Sequence, residues 1–285
     1  MEPDRNRLDR PAAGDESEFA QTIAVITGST GGIGRATVEA FFAAGCRKFV
    51  LHYARQNSVA ETMAENLRGN GAEVTVQAAD LARRDDRRRL LRRIDDTFGG
   101  ATTWVHAAGL DVLTTAAKDW DFETKLDRLW RVDVAGTIEL VRQSLDHFAA
   151  NTSGAEQGFG SITLIGWDQS TRGMEGDAGQ MFGPIKAAVT AFGLSLSQEV
   201  APAIRVNVVA PGWIRTAWGE QTEGYWDRRA KRQALMGRWG TPQDVAATIR
   251  FVADPAQRFL TGQVLNVNGG FNRRYDENHP KAEGR

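Results

Sequence analysis

Residues Thr22–Gly34 read TIAVITGSTGGIG, an apolar run followed at once by three spaced glycines, Gly28, Gly32 and Gly34. The first half predicts a strand buried on both faces, because it lacks the polar–apolar alternation of a half-exposed one. The small residues that follow let the backbone turn sharply and come close to a bound group. A helix opening at Gly32 then presents free N–H groups, and the positive end of its dipole, to an anion such as a pyrophosphate. Strand, glycine turn and helix in that order predict a dinucleotide site, with Thr30 and Ile33 inside the turn. A glycine turn with no ligand is the duller reading of the same residues.

Outward from this segment, short β-rich runs alternate with helical stretches. Strands are predicted at Thr22–Thr27, Lys48–Tyr53, Glu73–Ala78, Thr103–His106, Ser161–Ile165, Arg205–Val209 and Gln263–Val267. Helices are predicted from Gly32, over Ser58–Gly69 and Arg84–Phe98, across roughly Thr124–Ala149, over Gly183–Val200 and from Thr241-Pro242. That alternation predicts an α/β fold: a Rossmann-type, doubly wound parallel sheet of about seven strands in three α/β/α layers. No repeat or linker divides residues 21–272, so a single dinucleotide-binding domain is expected. Residues 1–20 read as a disordered leader and 273–285 as a polar tail.

Composition narrows the function classes. The 285 residues carry a formal net charge of -1, which gives no global field toward nucleic acid or an anionic membrane. The arginine-dense stretch Arg83–Arg93 is interleaved with Asp85, Asp86, Asp95 and Asp96, and Leu90, Leu91 and Ile94 form an apolar stripe. It predicts a solvated surface helix laced with ion pairs. One cysteine, Cys46, excludes an internal disulfide framework and any multi-cysteine metal site, and no metal is expected. Without a bilayer-spanning apolar run or a secretory signal, the expected location is the cytoplasm.

The spacing Thr-Gly-x-x-x-Gly-x-Gly differs from the common G-x-G-x-x-G fingerprint, and other segments accompany it in order. Asp80-Leu81 follows the third strand, Ala107-Ala108-Gly109 the fourth, and GSITLIG forms the fifth. Lys186 comes next, then RVNVVAPGWIRT with Pro211, Gly212, Ile214 and Thr216, and finally LTGQVLNVNGG. Together these resemble the short-chain dehydrogenase/reductase family over roughly Thr22–Gly270. The resemblance implies a nicotinamide cofactor, an adenine contact at Asp80, and a homo-tetramer or homo-dimer built by the helix ending near Val200 and the last strand. Cofactor choice turns on the end of the second strand, LHYARQ. It offers no acid to a ribose hydroxyl and places Arg55 near, which favours NADP(H) over NAD(H).

The resemblance breaks at the reaction site. Family chemistry uses a tyrosine hydroxyl as proton donor four residues before a lysine, a serine that holds the substrate oxygen, and an asparagine. Four residues before Lys186 stands Phe182; the serine position is Trp167 and the asparagine position Asp133. Only Lys186 is kept. A positioned general acid is worth on the order of 10²–10⁴ in rate, so ordinary ketone reduction would be very slow. Three outcomes stay open: a substrate needing no enzymic proton, such as an iminium ion or activated double bond; a recruited acid; or cofactor binding without turnover. Candidate acids are Asp133, first by its family position, then Asp168, Asp177, His106 and Tyr225. Ser170 and Thr171 are candidate holders of a substrate oxygen. Trp167, Phe182, Trp213 and Trp218, with Tyr225 and Trp226, would line an aromatic pocket for a planar or cationic substrate, or else pack the covering segment against the core.

Overall fold

The computed structural model describes residues 18–152 and 160–273. Seven strands form one parallel sheet in the order β3-β2-β1-β4-β5-β6-β7. They are β1 Ile23–Thr27, β2 Lys48–Tyr53, β3 Glu73–Ala78, β4 Thr103–His106, β5 Gly160–Ile165, β6 Ile204–Pro211 and β7 Val264–Val267. The order reverses at β1, whose neighbours are β2 and β4. A crevice at the carboxyl ends of the strands beside such a switch point is where open α/β sheets bind ligands. The four central strands β1, β4, β5 and β6 are buried throughout, which is why they read as unbroken apolar runs.

Helices cover both faces: α1 Gly32–Ala43, α2 Asn57–Gly69, α3 Arg84–Phe98, α4 Phe122–Leu129, α5 Thr137–Thr152, α6 Gly176–Val200, α7 Ala217–Glu220, α8 Tyr225–Gln233 and α9 Pro242–Ala253. On one face Leu90, Ile94, Leu140 and Leu196 pack with Trp104 and Val206; on the other Val38, Phe41, Val245 and Ile249 pack with Ala24 and Phe49. The arginine-rich α3 is the expected surface helix, with Arg83 and Arg89 both paired to Asp86. Its pairs are three residues apart rather than four. Arg87 turns inward instead, donating to the Leu81 carbonyl at 2.6 Å and to Glu139.

Several boundaries differ from expectation. The predicted helix Thr124–Ala149 is three pieces, because a π-helical turn, Trp130–Gly136, separates α4 from α5. Asp133 lies buried within this turn. Helix α6 starts at Gly176, seven residues before the predicted start, and carries Pro184 in its interior. Gly179 lets the first turn close against the Met174 backbone, where a methyl group would lie 2.0 Å from the carbonyl oxygen. Helices α7 and α8 were not predicted. Most of the expected leader lies outside the described residues, but Glu18–Gln21 forms a 3-10 turn that buries Phe19 edge-on against Phe41 at 5.1 Å. The expected tail lies outside them beyond Arg273.

Arg205 on β6 is buried and ties α9 to the sheet, donating to the carbonyls of Val252 at 2.7 Å and Asp254 at 3.1 Å. Replacing it by leucine strands those carbonyls, at about 1–3 kcal/mol per unmet group. Urea unfolding of Arg205→Leu should therefore show a clear drop in midpoint with the same slope; an unchanged midpoint contradicts this role.

Candidate functional site

The glycine turn is held from below by backbone contact. Gly28 has φ +65°, and a methyl group on it would meet the Ala108 backbone at 2.7 Å. On Gly34 a methyl would lie 2.2 Å from the Gly28 carbonyl oxygen. Side chains are therefore excluded by the protein's own close packing of β1, α1 and the β4 exit. Gly31, the residue before α1, supplies no side-chain cap, so the helix presents its first N–H groups uncapped. Thr216 and Pro242 approach Gly32 from the opposite wall, each 3.4 Å from where its methyl would be. This cradle fits a dinucleotide pyrophosphate.

Two buried histidines brace the turn. The Gly28 amide donates to His52 Nδ1 at 3.2 Å, and His52 Nε2 donates to the Ala79 carbonyl at 3.0 Å. His106 bridges Thr27 Oγ1 at 3.1 Å and Thr137 Oγ1 at 2.8 Å, and Thr137 in turn donates to the Asp133 carbonyl at 2.6 Å. Burial pushes the His52 imidazole down to about 4 and that of His106 to about 3. Both are neutral framework groups. His106 is thereby accounted for as a core residue and is no proton donor at ordinary pH.

The other cofactor candidates lie around the same crevice. Arg55 is exposed just beyond β2. Asp80 is exposed after β3; its Oδ1 accepts from Ala82 N at 3.0 Å, while Asp86 Oδ2 accepts from the Asp80 amide at 2.9 Å. Leu81 is buried behind it. Ala107 donates to the Thr27 carbonyl at 3.2 Å. Pro211 ends β6, the Gly212 amide donates to Val267 at 3.0 Å, and Ile214 is buried.

Toward the reaction end, Lys186 sits one turn after Phe182 on α6, and its Nζ lies 3.5 Å from Asp133 Oδ2. Asp133 is 3% exposed, and its Oδ1 accepts from the Leu110 amide at 2.8 Å. Burial raises its pKa, while Lys186 and the Leu110 amide work against the rise. Gly109 lies close enough that a methyl there would touch Asp133 Oδ2 at 3.0 Å. Phe182 packs at the edge of an apolar cluster with Val112, Leu129 and Met181. Of the remaining acid candidates, Asp177 is exposed at the start of α6 and Tyr225 is exposed on α8, donating to Glu175 at 3.4 Å. Asp168 is 4% exposed. Ser170 donates to the Trp167 carbonyl at 2.7 Å, the turn-forming role of a loop hydroxyl.

The aromatic residues after β6 pack mainly on one another. Trp213 lies 6.2 Å from Trp218, 6.0 Å from Trp226 and 5.8 Å from Trp239, centroid to centroid. The cation over Trp213 and Trp226 is the protein's own Arg229, at 5.8 and 5.3 Å. Arg229 also grips Glu175, immediately before α6, through both guanidinium nitrogens. Trp218 and Trp226 also meet, at 6.3 Å between centroids.

Residues 28–272 match the family model described as enoyl-(acyl carrier protein) reductase. A 3-oxoacyl-[acyl-carrier-protein] reductase from Synechocystis is 32% identical over 253 residues, covering 87% of this chain and 96% of that protein. The chain belongs to the short-chain dehydrogenase/reductase family, a family of oxidoreductases. A short-chain dehydrogenase/reductase (glucose/ribitol dehydrogenase) from Brucella melitensis superposes with a TM-score of 0.76 at 28% identity, covering 90% of this chain and 98% of that one. A short-chain dehydrogenase from Burkholderia cenocepacia, solved in complex with NADP, shares the fold with a TM-score of 0.77 at 23% identity, over 90% and 99% of the two chains.

Sequence reasoning about this dehydrogenase/reductase chain missed His52, Asn268 and the Glu175–Arg229 grip. His52 alternates within an apolar strand, LHY, and such an isolated polar residue is the signal that was passed over. For the neutral histidines the sign of the pH effect is fixed. The unfolded chain takes up protons below pH about 6.5, but the folded one does not until 4 or below, so stability present above pH 6.5 is lost on acidification. His106→Asn should flatten the fall in unfolding free energy between pH 6.5 and 4.5 by about 2–3 kcal/mol, at about 1.4 per pH unit. Equal slopes in urea titrations of the two proteins contradict a buried neutral His106.

Proposed function

We propose that this chain is an NADP(H)-dependent oxidoreductase whose reaction site works without the family's tyrosine acid. The observation that carries the reading is the contact of Lys186 with Asp133 at 3.5 Å, one helical turn beyond Phe182. In the family pattern that lysine lowers the pKa of a tyrosine; here no hydroxyl stands beside it, and a carboxylate takes its charge instead. Phe182, Trp167 and Asp133 thus replace tyrosine, serine and asparagine together.

The residues present would still hold the cofactor. The uncapped start of α1 at Gly32–Gly34, with Thr30 beside it, would hold the pyrophosphate, Asp80 and Leu81 the adenine, and Lys186 the ribose. Arg55 and the missing acid at the end of β2 favour a 2′-phosphate, hence NADP(H) rather than NAD(H). Ala107 and Gly109 form one wall; Pro211, Gly212, Ile214 and Thr216 form the other. When bound, the nicotinamide supplies a hydride. Hydride transfer depends mainly on positioning, which this framework retains. Suitable acceptors carry their own activation, as an imine or an activated double bond does. Asp133 neutralises Lys186, so a cationic acceptor meets no net repulsion from that side.

A second copy of the chain is the proposed partner. Among the described residues strand β7 pairs only with β6, and an open sheet edge needs cover. Exposed Phe251, Phe259 and Val264 lie on or beside it. No helix among the described residues is long and apolar enough to cross a membrane. Sedimentation equilibrium should return a dimer or tetramer; a monomer at micromolar concentration contradicts the assembly.

The activity is tested with NADPH and a panel of ketones, cyclic imines and enones. Oxidation with imines or enones and little with ketones is expected. The Phe182→Tyr, Trp167→Ser double variant should gain ketone reduction by about 10²-fold or more, the value of a restored acid and oxygen donor. NADPH binding with no oxidation across the panel overturns the enzyme reading in favour of a cofactor-binding protein without turnover.

A further inference from the structure

We propose that Glu175 and Arg229 form a clasp that holds α8 between the two walls of the cleft, and that substrate enters and product leaves when this ion pair opens. The proposal rests on the reading above, that a substrate is held at the Phe182–Lys186 end. The two partners come from different strand exits. Glu175 immediately precedes α6, the helix that carries Phe182 and Lys186. Arg229 lies in the middle of α8 and over Trp213, which belongs to the loop after β6 with Gly212, Ile214 and Thr216. Thr216 approaches the start of α1 from that side. The bond from Arg229 to Glu175 therefore runs from one wall to the other.

The partners are held very differently. The Arg229 side chain is 8% exposed and lies over Trp226 at 5.3 Å, Trp213 at 5.8 Å and Tyr225 at 6.0 Å. The Glu175 side chain is 64% exposed. Arg229 donates to it through both terminal nitrogens, Nη2 to Oε2 at 2.8 Å, and Tyr225 donates to the same carboxylate at 3.4 Å. Two parallel bonds fix the geometry of the closed pair. When it opens, water solvates the carboxylate and the rings keep the cation, so neither charge is stranded.

Other bonds of α8 run to its own wall. Gln233 accepts from Trp213 Nε1 at 2.8 Å, and Asp227 accepts from Trp239 Nε1 at 2.9 Å and from Arg215 at 3.2 Å. Past the end of α8, the Leu235 and Met236 amides donate to the Gly270 and Gly269 carbonyls at 2.9 and 3.0 Å. Helix, loop and tryptophans thus form one body, pinned at the exit of β7 and clasped to the head of α6. Gly224, before α8, has φ +64° and no atom within 4 Å of where a methyl would be, which leaves the leading end room to swing. Such an opening controls exchange rather than the hydride step, because the cradle at Gly28, Gly32 and Gly34 takes no part in the pair.

The test is Glu175→Gln, which keeps the shape of the side chain and removes its charge at an exposed position. Amide hydrogen exchange across Tyr225–Gln233, in the protein without cofactor, should rise about 5-fold, the scale of one exposed ion pair, and stay unchanged across Pro242–Ala253. Potassium chloride at about 0.5 M should raise exchange at the same residues in the native protein but not in the variant. With NADPH and 2-cyclohexenone or 2-methyl-1-pyrroline, KM for the organic substrate should rise about 5-fold, with kcat no lower and NADPH affinity unchanged. Glu175→Asp should recover part of both effects. Unaltered exchange across Tyr225–Gln233 overturns the clasp. An unchanged KM beside raised exchange overturns its role in substrate entry, and so does an equal loss of NADPH affinity, which marks a general structural role. A blank substrate panel removes the oxidoreductase reading and leaves the exchange experiment to decide the clasp.

Discussion

The close approach of the glycine turn to the exit of β4 is the constraint on which the rest of this structure depends. A methyl group at Gly28 has no room against the Ala108 backbone, and none at Gly34 against the Gly28 carbonyl. That contact fixes where β1 ends, how α1 begins and where the neighbouring strand must stop. Because the clash is with backbone, no side-chain adjustment relieves it. The crevice at the switch point of the sheet follows from the same packing, and so does the uncapped helix start that faces it.

Around this contact lies a buried polar framework. His52 ties the turn to β3, and His106 ties β1 to the π-helical turn through Thr27 and Thr137. Such networks stabilise a single arrangement when every member has a partner, and are costly when one does not. Asp133 shares the second network through its backbone carbonyl and meets Lys186 through its side chain. The Asp133 turn is therefore joined to the end of β1 through the buried Thr137, His106 and Thr27.

The sheet was legible because its strands are covered on both faces and write themselves as continuous apolar runs; all seven predicted strands lie within two residues of the observed ends. The glycine turn and Lys186 were legible because each has a fixed chain position. Helix α6 was misread at its start, since Gly176 and Gly179 are weak helix formers. The π-helical turn was not legible in the sequence, and neither was the bond that its buried Asp133 accepts from Leu110, 23 positions away. The tryptophans were visible as a group, but not that their cation is Arg229. Asp168 appeared in the sequence as one acid among five; its burial and its hydrogen bond from Asn268 exist only in three dimensions.

We propose a retained cofactor cleft joined to an altered reaction site, and the first half of that proposal bears the second. Titration of the native protein with NADPH and then NADH, followed by energy transfer from its tryptophans to the reduced nicotinamide, tests it most directly. Saturable binding of one NADPH per chain, tighter than NADH, is the expected result. A folded protein that binds neither would contradict an intact cleft and remove the ground for any redox role.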